Sequence, residues 1–354
     1  MAIPNGLPAA SSAINIAAAA RTLANEQGLN RILKAETMGP FQQQMKIAAM
    51  CPVKMISGGK SYQWILNGKV SAAYRTTPGA YEVGTDDLRF NEVTIGIDKE
   101  IVSLQEIDDY AEFTAWHSAR SAIVTEVGSV LGRVNEVKAS KALFVAGNTD
   151  MPAGILYTDI AGGNDMRTAA ARNETISGCG AATRTGFKTT DGTGFVNALR
   201  NIAVKIYEMG DDPSLYSIYL APTDYSFVSS SEGIKACIDK DFNSNNGDLA
   251  MSNIPRIAGI GIERAPGITT AAFTSVTAGW ITAAAERNNY VSNNSVVLGV
   301  VARIDKAIAG VGLYDVTTEA FRDPRTDTWN FRGKSCIGYG ALEAQCAFKV
   351  SVAV

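Results

Sequence analysis

The segment Ile56-Ser-Gly-Gly-Lys-Ser-Tyr-Gln-Trp-Ile-Leu-Asn-Gly-Lys-Val-Ser-Ala-Ala-Tyr74 decides the fold. Within it, Ser61–Leu66 has the residue pattern of a strand, and Asn67-Gly68 is the dipeptide favoured in two-residue hairpin turns. Lys69–Arg75 is therefore predicted to be the return strand, followed by a loop at Pro78-Gly79. An isolated hairpin is only marginally stable in water, so we expect this one to lie on another subunit.

A long helix is predicted after the hairpin, from Leu104 to about Ala142, with a further strand before it at Glu92–Val102. Apolar residues recur near helical spacing along the helix at Ile107, Tyr110, Phe113, Val124, Val127, Leu131 and Val134. Acids cluster at its start and bases at its end, as the helix macrodipole favours: Glu106, Asp108, Asp109 and Glu112, then Arg133, Lys138 and Lys141. This length exceeds the globular norm and predicts a structural strut.

The first fifty residues have the composition of an arm rather than of a domain. Prolines at positions 4, 8 and 40 interrupt the segment, and Ala17–Lys34 is its one predicted amphipathic helix. Eight basic and two acidic residues give +6 up to Arg75, which leaves −9 for the remainder because the net charge is −3. A basic arm on an acidic body favours contact between like subunits or with a polyanion, and a solvated basic surface is the alternative.

The remainder of the chain alternates between helix and strand patterns. The predicted elements are a helix at Phe195–Met209, a strand at Leu215–Leu220, a helix after Pro222 capped by Thr223 or Asp224, strands near Gly259–Arg264, Gly279–Ala285 and Ser295–Ile304, a hairpin turning at Asp323-Pro324-Arg325, and a last strand at Ala347–Val352.

Composition excludes several classes of protein. Hydrophobic residues make up 46% of the chain and charged residues 19%, which supports a packed core and argues against disorder. The five cysteines (Cys51, Cys179, Cys237, Cys336 and Cys346) are odd in number and widely spaced, which disfavours a disulfide framework and a zinc site and predicts a reducing compartment. The start, Met1-Ala-Ile-Pro-Asn-Gly, lacks a basic n-region, and no long apolar stretch predicts a membrane span.

No residue pattern supports catalysis or a cofactor. The single histidine, His117, falls inside the predicted long helix, and Cys179 lies in a Gly-rich stretch that we expect to be exposed, with no nearby base. Gly58-Gly-Lys60-Ser61 lacks the first glycine of a phosphate-binding loop, and Gly259-Ile-Gly261 lacks the third glycine of a dinucleotide site. We therefore predict no enzyme activity and no cofactor.

The alternating polar residues Asp239, Asp241, Asn243 and Asn245 are typical of a calcium loop. Ser244 occupies the position that requires glycine, and Ala250 occupies the position of the bidentate acid. The sequence therefore predicts a polar loop without a metal, and a weak cation site is the alternative.

The hairpin segment resembles the extended loop of the major capsid proteins of short-tailed (podovirus, Autographiviridae-like) double-stranded-DNA phages. In that family a Ser-Gly-Lys-Ser start, a basic turn, an Ala-Ala-Tyr and a Pro-Gly recur in this order. Tyr219-Leu-Ala-Pro-Thr-Asp-Tyr225 is similar to the family's strand–Pro-x-x-Tyr–helix step, which marks Pro222 and Tyr225. Gly259–Pro266 and Ile337–Ala344 resemble later motifs, although the second lacks the family's Arg-Pro.

The resemblance implies an α+β HK-97-type fold. We expect an N-terminal arm at 1–53, an extended loop at 54–95, a peripheral domain at 96–154 and 303–354 with the long helix as its spine, and an axial domain at 155–302.

The resemblance also implies a function and a set of partners. The chain is expected to assemble with itself as hexamers and pentamers into an icosahedral shell around double-stranded DNA, which it contacts non-specifically. A scaffolding protein and a portal protein are its other implied partners, with a decoration protein as an optional one. It would assemble in the host cytoplasm and remain in the virion. An encapsulin-like cellular nanocompartment shell is the alternative, and a soluble enzyme is the third hypothesis.

Contacts between subunits are expected to involve the extended loop. We predict that Lys60, Lys69, Arg75 and Trp64 contact a neighbour. The three basic residues would meet acids at the start of that neighbour's long helix. Those acids are Glu106, Asp108 and Asp109.

Overall fold

The structure is a computed structural model. It describes residues 34, 36–67, 90–108, 119–151, 166–180, 184–188, 192–230, 256–265, 267–268, 297–323, 325–326 and 328–353.

The described helices are α1 (36–44), α2 (Ile47–Met50), α3 (Ala119–Asn148), α4 (Arg184–Phe187), α5 (Thr193–Glu208), α6 (Pro222–Ser230) and α7 (Ile304–Ala307). The described strands are β1 (Val53–Met55), β2 (Ser61–Asn67), β3 (Phe90–Gly96), β4 (Ile101–Asp108), β5 (Asn173–Ile176), β6 (Ser217–Leu220), β7 (Arg256–Ile257), β8 (Ile260–Arg264), β9 (Val297–Ala302), β10 (Ile308–Asp323), β11 (Thr328–Ala341) and β12 (Ala347–Val352).

The chain divides into two compact units. The first comprises the described residues of Met1–Gln44, Glu100–Gly132 and Tyr314–Ser335. The second comprises those of Met45–Lys99, Arg133–Leu313 and Cys336–Val354. One sheet has four strands in the order β1-β10-β11-β4.

In the first unit, a helix layer packs on a sheet layer. Strands β11 and β4 are antiparallel, with Thr328 opposite Asp108 and Ser335 opposite Ile101. Ile107, Val124 and Phe331 are buried together between the two layers.

The second unit is built on a six-stranded mixed sheet in the order β5-β12-β9-β6-β8-β7. All six residues of β9 are buried, as expected for a continuous apolar strand covered on both faces. Helix α5 buries its apolar stripe of Phe195, Leu199, Ile202 and Ile206 in the same core. This unit contains most of the buried apolar side chains of the described residues.

Arg172 closes the C-terminal end of α3. Its guanidinium is fully buried and donates to the carbonyl oxygens of Ala146 at 3.2 Å and Ala347 at 3.0 Å. It also donates to the carbonyls of Thr149 and Ala344. The last carbonyls of a helix have no partner within the helix, so Arg172 adds a donor for one of them, that of Ala146, and joins α3 to β12.

Most of the elements predicted after position 190 are confirmed, including the helix α5, the strands β6, β8 and β9, the long hairpin β10–β11 and the last strand at Ala347–Val352. The predicted strand at Gly279–Ala285 lies outside the described residues, as does most of the predicted helix Ala17–Lys34.

The prediction of a helix from Leu104 is wrong for its first residues. Ile101–Asp108 is the strand β4, and the described helix runs from Ala119 to Asn148. The macrodipole argument fails with it, because α3 has no acid in its first turn and no base in its last. The predicted single strand Glu92–Val102 is likewise two strands, which break after Gly96. Long-range pairing of β4 with β11 overrides the local helical spacing.

Candidate functional site

Strands β2 and β3 form a two-stranded antiparallel ribbon. Ser61 lies opposite Gly96, and Asn67, the last residue of β2, lies opposite Phe90. The strand prediction for Ser61–Leu66 is confirmed, and its described partner is Phe90–Gly96. Residues 68–89 lie outside the described residues, and with them the predicted return strand and the sites Gly68, Lys69, Arg75, Pro78 and Gly79.

The inner face of the ribbon packs on its own unit. Leu66 is buried with Met151 and Ala344, and Ile95 is buried with Ala309 and Val311. The expectation of a hairpin that is isolated within its own subunit is therefore wrong for its described part.

Trp64 lies on this inner face, edge-on to Tyr62 with ring centroids 5.4 Å apart. Its indole Nε1 is buried and has no hydrogen-bond partner among the described residues. Trp64 therefore contributes to packing within the subunit, and a contact of its half-buried side chain to a neighbour stays a prediction.

The outer face of the ribbon exposes two large apolar side chains. Ile65 is 72% exposed and Phe90 is 63% exposed, on adjacent strands. Glu92 lies opposite Ile65 and accepts a hydrogen bond of 3.3 Å from Gln63. Lys60, at the base of the ribbon, is exposed, and its ammonium pairs with no described carboxylate. The exposed apolar pair on this face has the composition of a contact surface, and Lys60 lies at the base of the same ribbon.

Glu106 and Asp108 are exposed on the strand β4, not on the helix as predicted, and Asp109 lies outside the described residues. The same face of β4 carries Val102 and Leu104, which are 45% and 47% exposed. Within the described sheet β4 is an edge strand, because it pairs only with β11. This second surface, like the ribbon, combines exposed apolar groups with charge.

Basic residues of β11 lie beside this strand. Lys334 is opposite Val102 and Arg332 is opposite Leu104. Lys334 forms a 3.0 Å ion pair with Glu319, and Arg332 lies 3.9 Å from Glu100. The face is therefore mixed in charge, and its acids are not a separate cluster at a helix start.

The step from β6 to α6 is confirmed as a strand followed by a helix that begins at Pro222. The backbone N–H of Tyr225 donates to the carbonyl of Ala221 at 2.9 Å, and the guanidinium of Arg264 lies 4.8 Å from the centre of the tyrosine ring. The cap prediction is wrong, because Asp224 lies inside the first turn. Its buried carboxylate lies 3.5 Å from the Lys188 ammonium.

Cysteine chemistry is disfavoured at the described positions. Cys179 is buried, not exposed as expected, and burial raises the pKa of its thiol. The described cysteines are all buried and form no disulfide with one another: Cys51, Cys179, Cys336 and Cys346. Cys237 lies outside the described residues.

A polar cleft of about 180 Å³ lies in the second unit and was not predicted from the sequence. The Tyr216 hydroxyl donates to Asp211 at 2.9 Å along its wall. Burial raises the pKa of the Cys346 thiol in the same wall to about 12, so this group stays protonated and is a poor nucleophile.

The remaining sequence motifs either lie in a structure that does not match the site they suggested or lie outside the described residues. Gly58-Gly-Lys60-Ser61 runs directly into β2, whereas a phosphate-binding loop would open a helix. His117 and the polar loop Asp239–Asn245 lie outside the described residues. Within the described ranges, no cluster of acids, cysteines or histidine could hold a metal ion, and no helix is long and apolar enough to span a membrane.

No protein-family profile matches the sequence, and no curated protein matches it. Solved structures do match. The capsid structure of the cyanophage P-SCSP1u is 22% identical over 86% of both chains, with a TM-score of 0.65. The mature capsid of bacteriophage PhiM1 is 14% identical over 87% of both chains, with a TM-score of 0.63. A virus-like particle from Pyrococcus furiosus is 11% identical over 92% of this chain and 99% of its own, with a TM-score of 0.51.

These likenesses establish the fold. The chain has the HK-97-type fold of phage capsid proteins, with mixed helices and strands, as the α+β prediction stated. Sequence motifs alone identified the fold, although the overall identity to each of these structures is low.

Proposed function

We propose that this chain is the major capsid protein of a tailed double-stranded-DNA phage. Its subunits assemble with one another, as hexamers and pentamers, into a closed icosahedral shell. The capsid-type fold supports this function.

The exposed outer face of the ribbon is the observation that carries the proposal. A soluble monomer gains nothing by holding Ile65 and Phe90 in water, whereas a neighbouring subunit would bury them. Each such contact can be weak, since a millimolar dissociation constant corresponds to only about −4 kcal/mol. Many contacts per subunit, closed by symmetry, still give a stable shell.

The surface around β4 is the proposed partner of the ribbon on an adjacent copy. The exposed side chains of Val102 and Leu104 form an apolar surface on which Ile65 and Phe90 of a neighbour would be buried. Lys60, together with Lys69 and Arg75, would meet the acids Glu106, Asp108 and Asp109. The apolar contact supplies affinity in this arrangement, and the charges favour one register.

Domain roles and the other partners follow from the same proposal. Residues 1–53 form the arm, 54–95 the extended loop, 96–154 and 303–354 the peripheral domain, and 155–302 the axial domain. A scaffolding protein acts during assembly in the host cytoplasm, a portal protein occupies one vertex, and packaged DNA touches the inner wall non-specifically. The phage is of the short-tailed type, a decoration protein is an optional further partner, and the mature chain resides in the virion.

An encapsulin-like nanocompartment shell is the second candidate function. The similarity to a virus-like particle from Pyrococcus furiosus favours it, although the TM-score is lower than for the two phage capsids. Nuclease-protected DNA in purified native particles would support the phage capsid, and a protein cargo without DNA would support the compartment.

Charge placed on the ribbon's outer face tests the proposal. The double variant Ile65→Glu, Phe90→Glu should remain folded but fail to form shells, because both side chains are exposed in the subunit and buried in the shell. Sedimentation and electron microscopy of the expressed protein measure this result.

Thr94→Glu is the matched control for this experiment. Thr94 is exposed on the same outer face, opposite Gln63, and its substitution adds charge without removing an apolar group. Closed shells from the double variant at wild-type yield would contradict the proposed contact.

A further inference from the structure

One face of the long helix α3 carries Gly128, Gly132 and Glu136, each four residues after the previous one. Residues at this spacing lie above one another on the same side of a helix. All three positions touch the segment that precedes β1, and these contacts follow the chain order along the helix.

The two glycines let the backbone of α1 lie directly against α3. A Cβ atom on Gly132 would lie 2.5 Å from the carbonyl oxygen of Phe41 and 3.0 Å from the Cβ of Gln44. A Cβ atom on Gly128 would collide in the same way with the carbonyl oxygen of Thr37. Thr37 and Phe41 are fully buried, so this contact is tight.

Glu136 holds the next residues by their backbone. Its carboxylate accepts hydrogen bonds from the N–H groups of Lys46 at 2.8 Å, Ile47 at 3.1 Å and Ala48 at 3.1 Å. These are the first N–H groups of the short helix α2, which have no partner within that helix. Hydrogen bonds to an ionised acceptor are among the stronger ones in proteins.

Burial disfavours a charged side chain at position 136. Glu136 is 1% exposed, and burial raises the pKa of its carboxyl, against which the three amides and the nearby Lys46 act. The Lys46 ammonium is itself paired with Glu263 at 2.5 Å. Core packing alone would favour an apolar residue at this position. The role of the carboxylate is therefore to accept hydrogen bonds from the three backbone amides.

We propose that residues 36–48 are a detachable strap that lies on the glycine face of α3, and that the carboxylate of Glu136 is its latch. Neutralising that charge weakens all three hydrogen bonds and turns one of the two acceptor oxygens into a donor group, which releases the strap while the six-stranded sheet of the second unit stays folded. The strap is a property of the single chain and does not depend on the proposed function.

Hydrogen exchange of the full-length chain, followed by mass spectrometry, tests the latch. In Glu136→Gln, peptides that cover residues 36–50 should exchange at least about tenfold faster than in the wild type, because charge-assisted hydrogen bonds are lost. Peptides that cover β6 and β9 should keep their wild-type protection. Glu263→Gln is the matched control, since Glu263 contacts the same segment only through the Lys46 side chain, and it should resemble the wild type.

Two outcomes would overturn the proposal. Unchanged exchange at residues 36–50 would show that Glu136 does not hold the strap, and equal acceleration in the sheet would show that it only supports the core. If Glu136→Gln does not fold, Gly132→Ala tests the strap from the same face without a change of charge, and it should loosen residues 36–50. Gly147→Ala is its control in the same helix, because a Cβ there meets neighbours no closer than 3.6 Å and should leave the strap protected.

Discussion

Arg172 shows how one buried side chain can organise several elements. Four backbone carbonyls, from the end of α3 and from the approach to β12, accept hydrogen bonds from its planar guanidinium. Lysine has a single ammonium without the fork geometry and cannot reach all four. The carbonyls of Ala146 and Ala344 also accept from backbone N–H groups, so what is lost is a charge-assisted hydrogen bond, worth roughly 1.5–3 kcal/mol each.

We expect Arg172→Lys to lower the free energy of unfolding by about 2–4 kcal/mol, measured by denaturant unfolding. Arg303→Lys is the control, because Arg303 is partly exposed and its ion pairs with Asp211 and Asp305 are solvated. That variant should change the free energy of unfolding by less than about 1 kcal/mol. Equal losses in the two variants would contradict the role given to Arg172.

Because of Lys141, the free energy of unfolding depends on pH in the alkaline range. Its side chain is almost fully buried in α3, and burial lowers the pKa of the ammonium from 10.5 to about 8. Between about 8 and 10.5 the unfolded chain therefore binds more protons than the folded chain, and the free energy of unfolding rises with pH.

The wild type should therefore gain free energy of unfolding relative to Lys141→Met as the pH is raised through this window. Denaturant unfolding of both proteins at a series of pH values measures the difference. Subtracting the variant's free energy of unfolding from that of the wild type removes the contribution of the other titrating groups. Parallel curves for the two proteins would exclude a shifted pKa at Lys141.

Residues with exposed or local roles could be found from the sequence, whereas residues with distant partners could not. The charge of Lys60 and Glu106 predicts exposed side chains, and both are exposed. Glu136 binds amides about 90 residues earlier in the chain, and Arg172 binds carbonyls up to 175 residues later. No local pattern indicates such partners, so both residues appear only in the folded chain.

At the scale of elements, local pattern succeeded where it agreed with long-range pairing. The apolar run of β9 and the stripe of α5 predict the correct elements because burial there follows the local period. Ile101–Asp108 fits a helical spacing locally, but its pairing with β11 fixes it as a strand. The place of β9 in the strand order, between β12 and β6, could not be deduced from the same local signal.

The extended loop is the element with the most direct assembly prediction. Lys69→Glu should lower shell yield without unfolding the subunit, because the lysine is proposed to meet acids of a neighbour. Arg325→Glu is the control with the same change of charge, at an exposed turn outside the proposed contact. Shell yield by sedimentation and folding by circular dichroism measure the two effects, and wild-type yield from Lys69→Glu would refute the ionic contact.

At the scale of the whole molecule, composition excluded more than it identified. A charge of +6 up to Arg75 and −9 beyond it favoured contact between like subunits but did not specify a fold. The ordered motifs around Ser61 and Tyr219 identified the fold, which the similarity to the cyanophage and PhiM1 capsids confirms. The boundaries of the four expected regions remain predictions, since two compact units of the described chain do not define them.

Negative-stain electron microscopy of the wild-type chain, expressed with and without a scaffolding partner, tests the central proposal most directly. The account predicts closed polyhedral shells with the scaffold, and tubes or aberrant shells without it. Uniform small oligomers under both conditions would contradict it.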